Sequence, residues 1–511
     1  MSDAISETVI EAPQNKFLDR AGLRGFPWVP AIVLYTISYG WFWSVRNSNW
    51  SDDWDEFMFK ELTEFDYNSF GFAPWKRLLY PLFDFVGPTG IRLLVFVCFF
   101  LSAVFFFGII KKIKIIEPRD HKFAVLLFLI LPFNSVRVAS YVFYFTTSYL
   151  YFFAGWYLVV NFRTTKTRLI SFLLFFLSFQ MFTLTVFFVL PIAHLLMLEV
   201  RDGGKKIYQC LRSNFLFLLL PVLYWVSRSI FFPSDREYHS ITRNKIDGFL
   251  KFSALFLLVI VILFLVLRWS KQVFRRPILL ISLGLIAAYI AYVPYLLYGL
   301  VGYGFKAPVN YLVIMLGRSD WYSRHQILQP FGFSLLLIGI IGILPNFMKG
   351  IAPHLISSIL IISVIFNLGF GFEYFVDYEK QMEVVRELKV DENLNLGNEV
   401  EVIDQTQFLN ARQRSYRDRD WLGLVALAKG VESTEKLSVR RECAVNSESV
   451  LVLISGPDTH WQALKNWVID GDMGFKVTVD DTPGACKPEM VTNQPASGAI
   501  PILFYFTGAK N

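Results

Sequence analysis

Eleven long apolar runs, separated by short polar connections, constrain this chain more than any other feature of its sequence. A helix of about 20 apolar residues crosses the hydrocarbon core of a bilayer, and most of the runs are close to that length. Charged residues make up only 18% of the chain, against about 25% in soluble domains. We therefore predict a polytopic α-helical membrane protein with about eleven transmembrane helices. They are expected near 27–46, 88–110, 122–134, 140–162, 169–182, 184–199, 214–232, 249–267, 278–299, 327–347 and 353–372.

Basic residues lie in alternate connections between the apolar runs. The net charge of +7 fits either nucleic acid or a membrane surface as a partner, but an excess of Lys and Arg in alternate loops is typical of cytoplasmic loops. We therefore expect a lipid bilayer and no nucleic acid as partner. Residues 1–26 are predicted to be a cytoplasmic N-terminal segment of a multi-pass protein of the bacterial inner (plasma) membrane. An odd number of spans then places the C-terminus outside.

The composition changes sharply after Phe372. We predict a transmembrane domain over 27–372 and a small extracytoplasmic α/β domain over 373–511, where no apolar run is long enough to cross a bilayer. Short apolar runs there are typical of strands, and amphipathic stretches are typical of helices. The expected strands are Val400–Ile403, Val450–Ile454, Phe475–Val479 and Ile500–Phe506, and the expected helices are 376–389 and 459–469.

Several kinds of chemistry are disfavoured by the sequence. Four cysteines are too few for a disulfide framework or a Cys-rich metal site, although Cys443 and Cys486 could pair in an oxidising compartment. The sequence has no HExxH motif, no phosphate-binding Gly-Lys-Ser/Thr motif and no GxSxG elbow. This argues against zinc proteolysis, ATP-driven transport and α/β-hydrolase chemistry. His194, inside an expected span, is a proton-relay group, a buried histidine with a hydrogen-bond partner, or a histidine near the cytoplasmic surface.

An acidic cluster occupies the first extracytoplasmic loop, residues 47–87. Asp52, Asp53, Asp55 and Glu56 fall within five positions. Because close carboxylates repel, one of them can keep its proton and act as an acid or base, or the group can bind a divalent cation. The alternative is that acidic residues simply suit a translocated loop, where positive charge is disfavoured.

Cations on the same predicted face could bind a phosphate, because guanidinium groups match phosphate oxygens. Arg137 lies between the third and fourth runs, Arg228 near the end of the seventh, and Arg324 and His325 at the entrance to the tenth. The alternative is interfacial anchoring, in which the charged heads snorkel to lipid headgroups. The loop that follows the seventh run adds Arg236, Arg243 and Lys245.

The architecture and the acidic pair resemble the GT-C superfamily of integral membrane glycosyltransferases. Members have several transmembrane helices, a modified DxD pair in the first extracytoplasmic loop and often a soluble C-terminal domain. The pair here is Asp52-Asp53, or Asp55-Glu56 three positions on. No WWD-type triplet of the oligosaccharyltransferases occurs in the C-terminal domain. The segment Leu409–Tyr416 also looks typical of the family, without an assigned role.

The resemblance implies a polyprenyl-phosphate sugar as donor, a glycan or lipid-linked acceptor, and an inverting hexosyl or pentosyl transfer on the outer face. A lipid phosphate leaving group needs cationic stabilisation, which Arg137, Arg324 or His325 could supply. An acceptor hydroxyl needs a general base, for which Asp53 or Asp55 is the candidate. A divalent cation such as Mg²⁺ or Mn²⁺, at Asp52 and Asp53 if anywhere, is compatible with this chemistry but not required.

Three rival functions remain open. A transporter or flippase of lipid-linked saccharides would need charges within several spans, and few ionisable residues occur there. A saccharide polymerase or ligase would carry its large loop between late helices, whereas here the first loop is the acidic one. A membrane-anchored scaffold would leave the acidic loop without a purpose.

Overall fold

Helices dominate the part of the chain that the computed structural model describes. The described residues are 23–45, 48–50, 53, 73–162, 164–204, 206–231, 243–270, 272–297, 326–344, 350–391, 399–414, 416–430, 438–440 and 450–480. Each apolar run of the sequence contains a helix in this part of the chain. The helices are α1 (Trp28–Tyr39), α2 (Ala73–Ile110), α3 (Pro118–Ile130), α4 (Phe143–Asn161), α5 (Thr165–Ser178), α6 (Thr183–Phe187), α7 (Val189–Gly203), α8 (Ile207–Ser213), α9 (Phe215–Phe231), α10 (Arg243–Trp269), α11 (Gln272–Leu297), α12 (Gln329–Gly342) and α13 (Ala352–Val390).

Five helical segments of the described chain are long and apolar enough to cross a membrane, or six if the bent pair α8 and α9 forms one span. The five are Pro81–Ile110, Thr183–Arg201, Phe249–Trp269, Phe274–Pro294 and Ala352–Val390. Helices α1, α3 and α5 have 12, 13 and 14 residues. At about 1.5 Å per residue they are shorter than a hydrocarbon core of about 30 Å. The architecture is that of a multi-pass helical membrane protein, and the figure of eleven spans stays a prediction.

Helices α11 and α12 pack with their backbones in contact. A Cβ on Gly332 would lie 2.6 Å from the Ala288 nitrogen, and a Cβ on Gly284 would lie 2.6 Å from the Leu336 nitrogen. A Cβ on Gly339 would likewise meet the backbone of α11. Small residues allow this close approach, which increases the van der Waals contact between the helices. Such contact matters in a bilayer because no hydrophobic effect drives helices together there.

A buried asparagine connects three helices at one end of the bundle. Asn367 of α13 accepts a hydrogen bond from the Tyr39 hydroxyl at 2.8 Å and donates one to the Ile130 carbonyl at 2.8 Å. Ile130 ends α3, where helix carbonyls lose their partners within the helix. The asparagine therefore satisfies that carbonyl and fixes α1, α3 and α13 beside the loop between α3 and α4 (residues 131–142), called here the connecting loop.

Helix α13 is much longer than one span. Its 39 residues extend about 58 Å at about 1.5 Å per residue, so close to half of its length lies beyond a hydrocarbon core of about 30 Å. The helix expected at 376–389 is therefore the continuation of the last span. Residues 373–390 contain four Glu and no Gly or Pro, so the backbone stays helical where the composition changes.

A small four-stranded sheet forms the soluble domain at the end of α13. Its order is β2-β1-β3-β4, with β1 parallel to β2 and β3, and β3 antiparallel to β4. Three of the expected strands are found, and Ile500–Phe506 lies outside the described residues. Strand β2 and helix α14 were not expected from the sequence. The elements are β1 (Glu399–Asp404), α14 (Asp418–Lys429), β2 (Ser438–Arg440), β3 (Val450–Ser455), α15 (His460–Asp470) and β4 (Lys476–Asp480).

The core of this domain includes α13 itself. Val384 and Leu388 of α13 are buried with apolar residues of β1, β3 and α14. Nearer the bundle, Val376 is buried with Ala463 of α15 and Phe475 beside β4. Because α13 supplies part of both clusters, the soluble domain is packed along the helix that carries it.

Candidate active site

Asp53 is the centre of the contacts that hold the first loop. It is fully buried, and its Oδ1 accepts a hydrogen bond from the Tyr141 main-chain N–H at 2.8 Å. Its Oδ2 accepts one from the Trp50 main-chain N–H at 3.3 Å and lies 3.6 Å from a guanidinium nitrogen of Arg92. This carboxylate therefore connects the first loop to α2 and to the connecting loop.

Arg92, near the start of the apolar part of α2, binds the first loop beside Asp53. Arg92, Asp53 and their contacts are called the anchor. Its guanidinium donates to the carbonyl of Val45 at 3.0 Å and to the carbonyl of Ser48. It also lies over the ring of Trp50, 4.1 Å from the ring centroid. One planar guanidinium thus contacts Val45, Ser48 and Trp50 around the start of the first loop, which suits Arg and not Lys because its five donors are fixed in a plane.

Burial and charge act in opposite directions on Asp53. Burial raises the pKa of the Asp53 carboxyl above its ordinary value, while Arg92 and the main-chain N–H groups of Tyr141, Ser140 and Trp50 oppose that rise. The ionised form therefore depends on these partners. Removing one partner of a buried pair leaves an uncompensated charge in the protein.

The surroundings of Asp53 do not fit a divalent cation. Both of its oxygens accept hydrogen bonds from N–H groups, and a guanidinium lies within 4 Å. Mg²⁺ and Mn²⁺ require oxygen ligands and repel a neighbouring cation. Among the described residues no group of three or more His, Cys, Asp or Glu side chains could hold a metal ion. Asp52 lies outside those residues.

The connecting loop contacts two of the regions that the sequence singled out. Tyr141 near its end binds Asp53, and the main-chain nitrogen of Asn134 near its start lies 3.5 Å from Oε1 of Gln326. Gln326 lies three residues before the first residue of α12 and directly follows His325 in the chain. Asp53 of the first loop and Gln326, which precedes α12, are therefore both joined to the connecting loop.

Arg137, in the connecting loop, points into the bundle. It is buried, and its Nη1 donates to the Leu129 carbonyl at 3.1 Å. Its guanidinium carbon lies 3.5 Å from the ring centroid of Tyr39 and 4.5 Å from that of Phe99. These cation–π contacts hold α1, α2 and α3 together. A phosphate-binding role for Arg137 stays a prediction.

The remaining candidates divide into described and undescribed residues. The guanidinium of Arg228 lies 3.8 Å from the ring centroid of Phe182. For His194, the hydrogen-bonded alternative is the one found, because the indole N–H of Trp156 donates to His194 Nδ1 at 3.2 Å. The structure describes the backbone but not the side chains of Arg243 and Lys245. The candidates that lie outside the described residues altogether are Asp52, Asp55, Glu56, Arg236, Arg324, His325, Cys443 and Cys486.

A buried polar network joins the soluble domain to α13. The ammonium of Lys380 lies 2.5 Å from Oδ2 of Asp404 and 2.6 Å from Oδ1 of Asn410. Asp404 also accepts hydrogen bonds from Thr406. All four residues are buried, so the lysine charge is paired and hydrogen-bonded, as a buried charge requires.

The segment Leu409–Tyr416, without a role in the sequence, supplies much of this network. The carboxylate of Asp377 accepts hydrogen bonds from the main chain of Ala411 and from the Tyr416 hydroxyl. Arg414 pairs with Asp420 at 2.9 Å. Burial alone would lower the pKa of Arg414, but Asp420 and Asp377 outweigh it and raise the pKa, so the guanidinium stays charged.

Two contacts join the first loop to the part of α13 on which the soluble domain packs. Gln381 donates a hydrogen bond to the main-chain carbonyl of Asn49 at 3.2 Å. The rings of Trp50 and Tyr374 lie 4.8 Å apart, edge to face. Helix α13 therefore contacts both the first loop next to Asp53 and the buried polar network of the soluble domain.

Sequence reasoning missed Arg92, Asp377 and Lys380. A lone ionisable residue in an apolar run is a functional candidate by default, and Arg92 satisfied that criterion. Asp377 and Lys380 lie in a helix rich in exposed charges, so no periodic signal separated them from solvated neighbours. Their burial depends on chain segments far away in the sequence.

Comparison of the chain with protein-family models, with curated proteins and with solved structures finds no match.

Proposed function

We propose that this protein is a membrane glycosyltransferase, which transfers a sugar from a polyprenyl-phosphate donor to a cell-envelope glycan or lipid-linked acceptor. The observation that carries the proposal is the convergence at the connecting loop. Tyr141 holds the acidic first loop through Asp53, and Asn134 lies against Gln326, next to the Arg324–His325 pair. The carboxylates Asp52, Asp55 and Glu56 are sequence neighbours of Asp53, and Arg324 and His325 are sequence neighbours of Gln326, which supports bringing both signs of charge to one site.

The proposed chemistry requires both signs of charge at that end. A carboxylate accepts the proton of the acceptor hydroxyl as its oxygen forms a bond to the anomeric carbon. The bond from that carbon to the phosphate oxygen breaks, and the phosphate leaves with the electron pair and with inversion at carbon. Cations stabilise the charge that develops on the leaving phosphate, a role we propose for Arg324 and His325.

The roles of the four carboxylates differ in this proposal. Asp53 is occupied by two N–H groups and by Arg92, so we propose that it positions the loop. The general base is then one of its neighbours, Asp52, Asp55 or Glu56. This assignment departs from the sequence expectation, in which Asp53 was itself a candidate for the base.

A transfer assay with purified full-length protein in lipid nanodiscs tests the proposal. The probes are polyprenyl phosphates that carry a radiolabelled hexose or pentose, with an envelope glycolipid extract as acceptor. We measure labelled acceptor and released polyprenyl phosphate for the wild type and for Asp52→Asn, Asp53→Asn, Asp55→Asn and Glu56→Gln. Asp458→Asn, at an exposed site of the soluble domain, is the matched control.

Loss of the general base should lower the transfer rate about 10²-fold to 10⁴-fold without changing the melting temperature. Asp53→Asn should lower both the transfer rate and the melting temperature, because it also weakens the contacts of Arg92 and Tyr141 with the first loop. Asp53→Glu, which restores the charge, should recover part of the activity. Full transfer by all four variants would overturn the assignment of the general base to the first loop. No transfer by the wild type would overturn the enzyme proposal, and movement of labelled lipid across the bilayer without transfer would indicate a flippase instead.

A further inference from the structure

Helix α15 of the soluble domain carries an exposed apolar stripe. Trp461, Val468 and Ile469 are 65%, 68% and 66% exposed. Trp461, Lys465 and Val468 recur at a spacing of four and then three residues, which places them on one face of the helix. Ala463 faces the domain core and is fully buried. Large apolar side chains clustered on a soluble domain mark an interaction surface.

Helix α15 packs beside the point at which the span of α13 is expected to end. About 20 residues cross a bilayer, so a span that begins at Ala352 ends near residue 372. Exposed apolar side chains on α13 continue only as far as Leu368 in that stretch, and Glu373 follows. Phe372 and Phe375 then pack against the cluster that contains Ala463 of α15.

Trp467 and Arg412 of the soluble domain contact α13 near residue 372, where the span is expected to end. The ring of Trp467 in α15 lies edge-on to Phe375, with 5.5 Å between the ring centroids. The guanidinium of Arg412 lies 4.1 Å from the ring centroid of Phe370 and pairs with Glu373 at 2.6 Å. Phe370 belongs to the apolar part of α13, so the soluble domain contacts the last turn of the expected span.

We propose that α15 lies in the bilayer interface, with Trp461, Val468 and Ile469 inserted among the lipid headgroups and upper acyl chains. The partner is the surface of the membrane that α13 itself crosses. Tryptophan is enriched at that level because its ring is apolar and its N–H is polar. Lys465, exposed within the stripe, can extend its ammonium to lipid phosphates while its alkyl chain lies along the apolar surface.

The contacts of α15 favour lipid over a protein partner. A protein partner needs no particular height above the bilayer, whereas the stripe lies where Phe372 and Phe375 end the apolar face of α13. The stripe is also the mixture of Trp, aliphatic and Lys side chains that is typical of helices lying on a membrane. The insertion would hold the soluble domain at a fixed height over the bundle.

Spin-label accessibility in the full-length protein tests this proposal. Single cysteines replace Trp461 and Val468 in a background without native cysteines, and the protein is reconstituted in nanodiscs of mixed zwitterionic and anionic lipid. The control is Leu427→Cys, an apolar residue of α14 that is 42% exposed. Helix α14 packs against Val384, about 18 Å further along α13 than Phe372 at about 1.5 Å per residue.

Labels at 461 and 468 should be several-fold more accessible to oxygen, which concentrates in lipid, than to a water-soluble nickel chelate. The label at 427 should show the reverse order. Nickel accessibility at 461 and 468 equal to that at 427 would overturn the proposal. Protection of both sites from both reagents would overturn it too, because a protein surface would then cover the stripe.

A second measurement leaves the native cysteines in place. Benzoylphenylalanine is introduced at 461, 468 or 427, and the nanodiscs are irradiated and analysed by mass spectrometry. Lipid adducts at 461 and 468, and none at 427, are the expected result. Adducts to lipid at none of the three positions would contradict interfacial insertion, even if the cysteine-free protein failed to fold.

Discussion

The main-chain N–H of Tyr141 donates a hydrogen bond of 2.8 Å to the buried carboxylate of Asp53. Tyr141 ends the connecting loop, and Asp53 belongs to the first loop, so the bond joins two segments that are 88 positions apart in the chain. Arg92 binds the same carboxylate from α2. Asp53 is therefore held by charge and hydrogen bonding from two segments of the bundle.

Asp53→Asn should destabilise the folded protein. The variant removes the negative partner of Arg92, which is itself buried. Breaking a buried ion pair from one side costs about 3–5 kcal/mol, because one charge is left without compensation. We expect a lower melting temperature in nanodiscs, measured by intrinsic fluorescence, relative to the wild type and to Asp458→Asn.

A double variant separates the ion pair from the loop itself. In Asp53→Asn combined with Arg92→Gln, no unpaired charge remains, so the double variant should melt above the value expected from adding the two single effects. Strict additivity would mean that the two side chains do not interact, in contradiction to their separation of 3.6 Å.

Lys380→Met should loosen the soluble domain from α13. The variant leaves Asp404 buried without its cation and Asn410 without its donor, for an expected cost of about 3–5 kcal/mol. Limited proteolysis should then cleave the soluble domain faster. Lys389→Met, at an exposed site of the same helix, is the control and should be cleaved like the wild type. Equal cleavage of all three proteins would refute a structural role for Lys380.

Sequence patterns predicted the helical part of the fold well because lipid imposes a simple rule. Backbone groups in hydrocarbon must be satisfied internally, so a long apolar run is a helix, and each run contains one among the described residues. The number of complete spans could not be predicted in this way. Helices such as α3 and α5 end earlier than their apolar runs suggest, and termination depends on tertiary packing.

The candidate site was only partly predictable. The acidic loop stood out by composition, but the partner of Asp53 did not, because Arg92 is one charge in an apolar helix and only the fold brings it near. The same holds for Lys380, because its partner Asp404 ends β1, its partner Asn410 lies in the chain that follows, and only the fold brings them to α13. Arg137 was recognised as unusual, yet its contacts with Tyr39 depend on the packing of α1.

Gly332→Ala should destabilise the pair α11 and α12. The added methyl group would lie 2.6 Å from the Ala288 nitrogen and 2.7 Å from the Gly284 carbonyl oxygen, and these are backbone atoms that can move only if the helices separate. Gly369→Ala in α13 is the matched control, because nothing lies within 4 Å of its Cβ position. There, alanine should be neutral or stabilising by up to about 1 kcal/mol. Similar melting temperatures for the two variants would contradict the close packing.

His460 should make the stability of the soluble domain depend on pH. Burial lowers the pKa of His460 below its ordinary value of 6.5, although Glu373 and Asp377 act in the opposite direction. Below about pH 6.5 the unfolded chain therefore binds a proton that the folded chain does not, so stability falls as the pH falls, by at most about 1.4 kcal/mol per pH unit. In His460→Gln this contribution is absent. Melting curves between pH 7.5 and 5 should show the wild type losing stability relative to the variant as the pH decreases, and a difference that stays constant over this range would exclude the buried, neutral histidine.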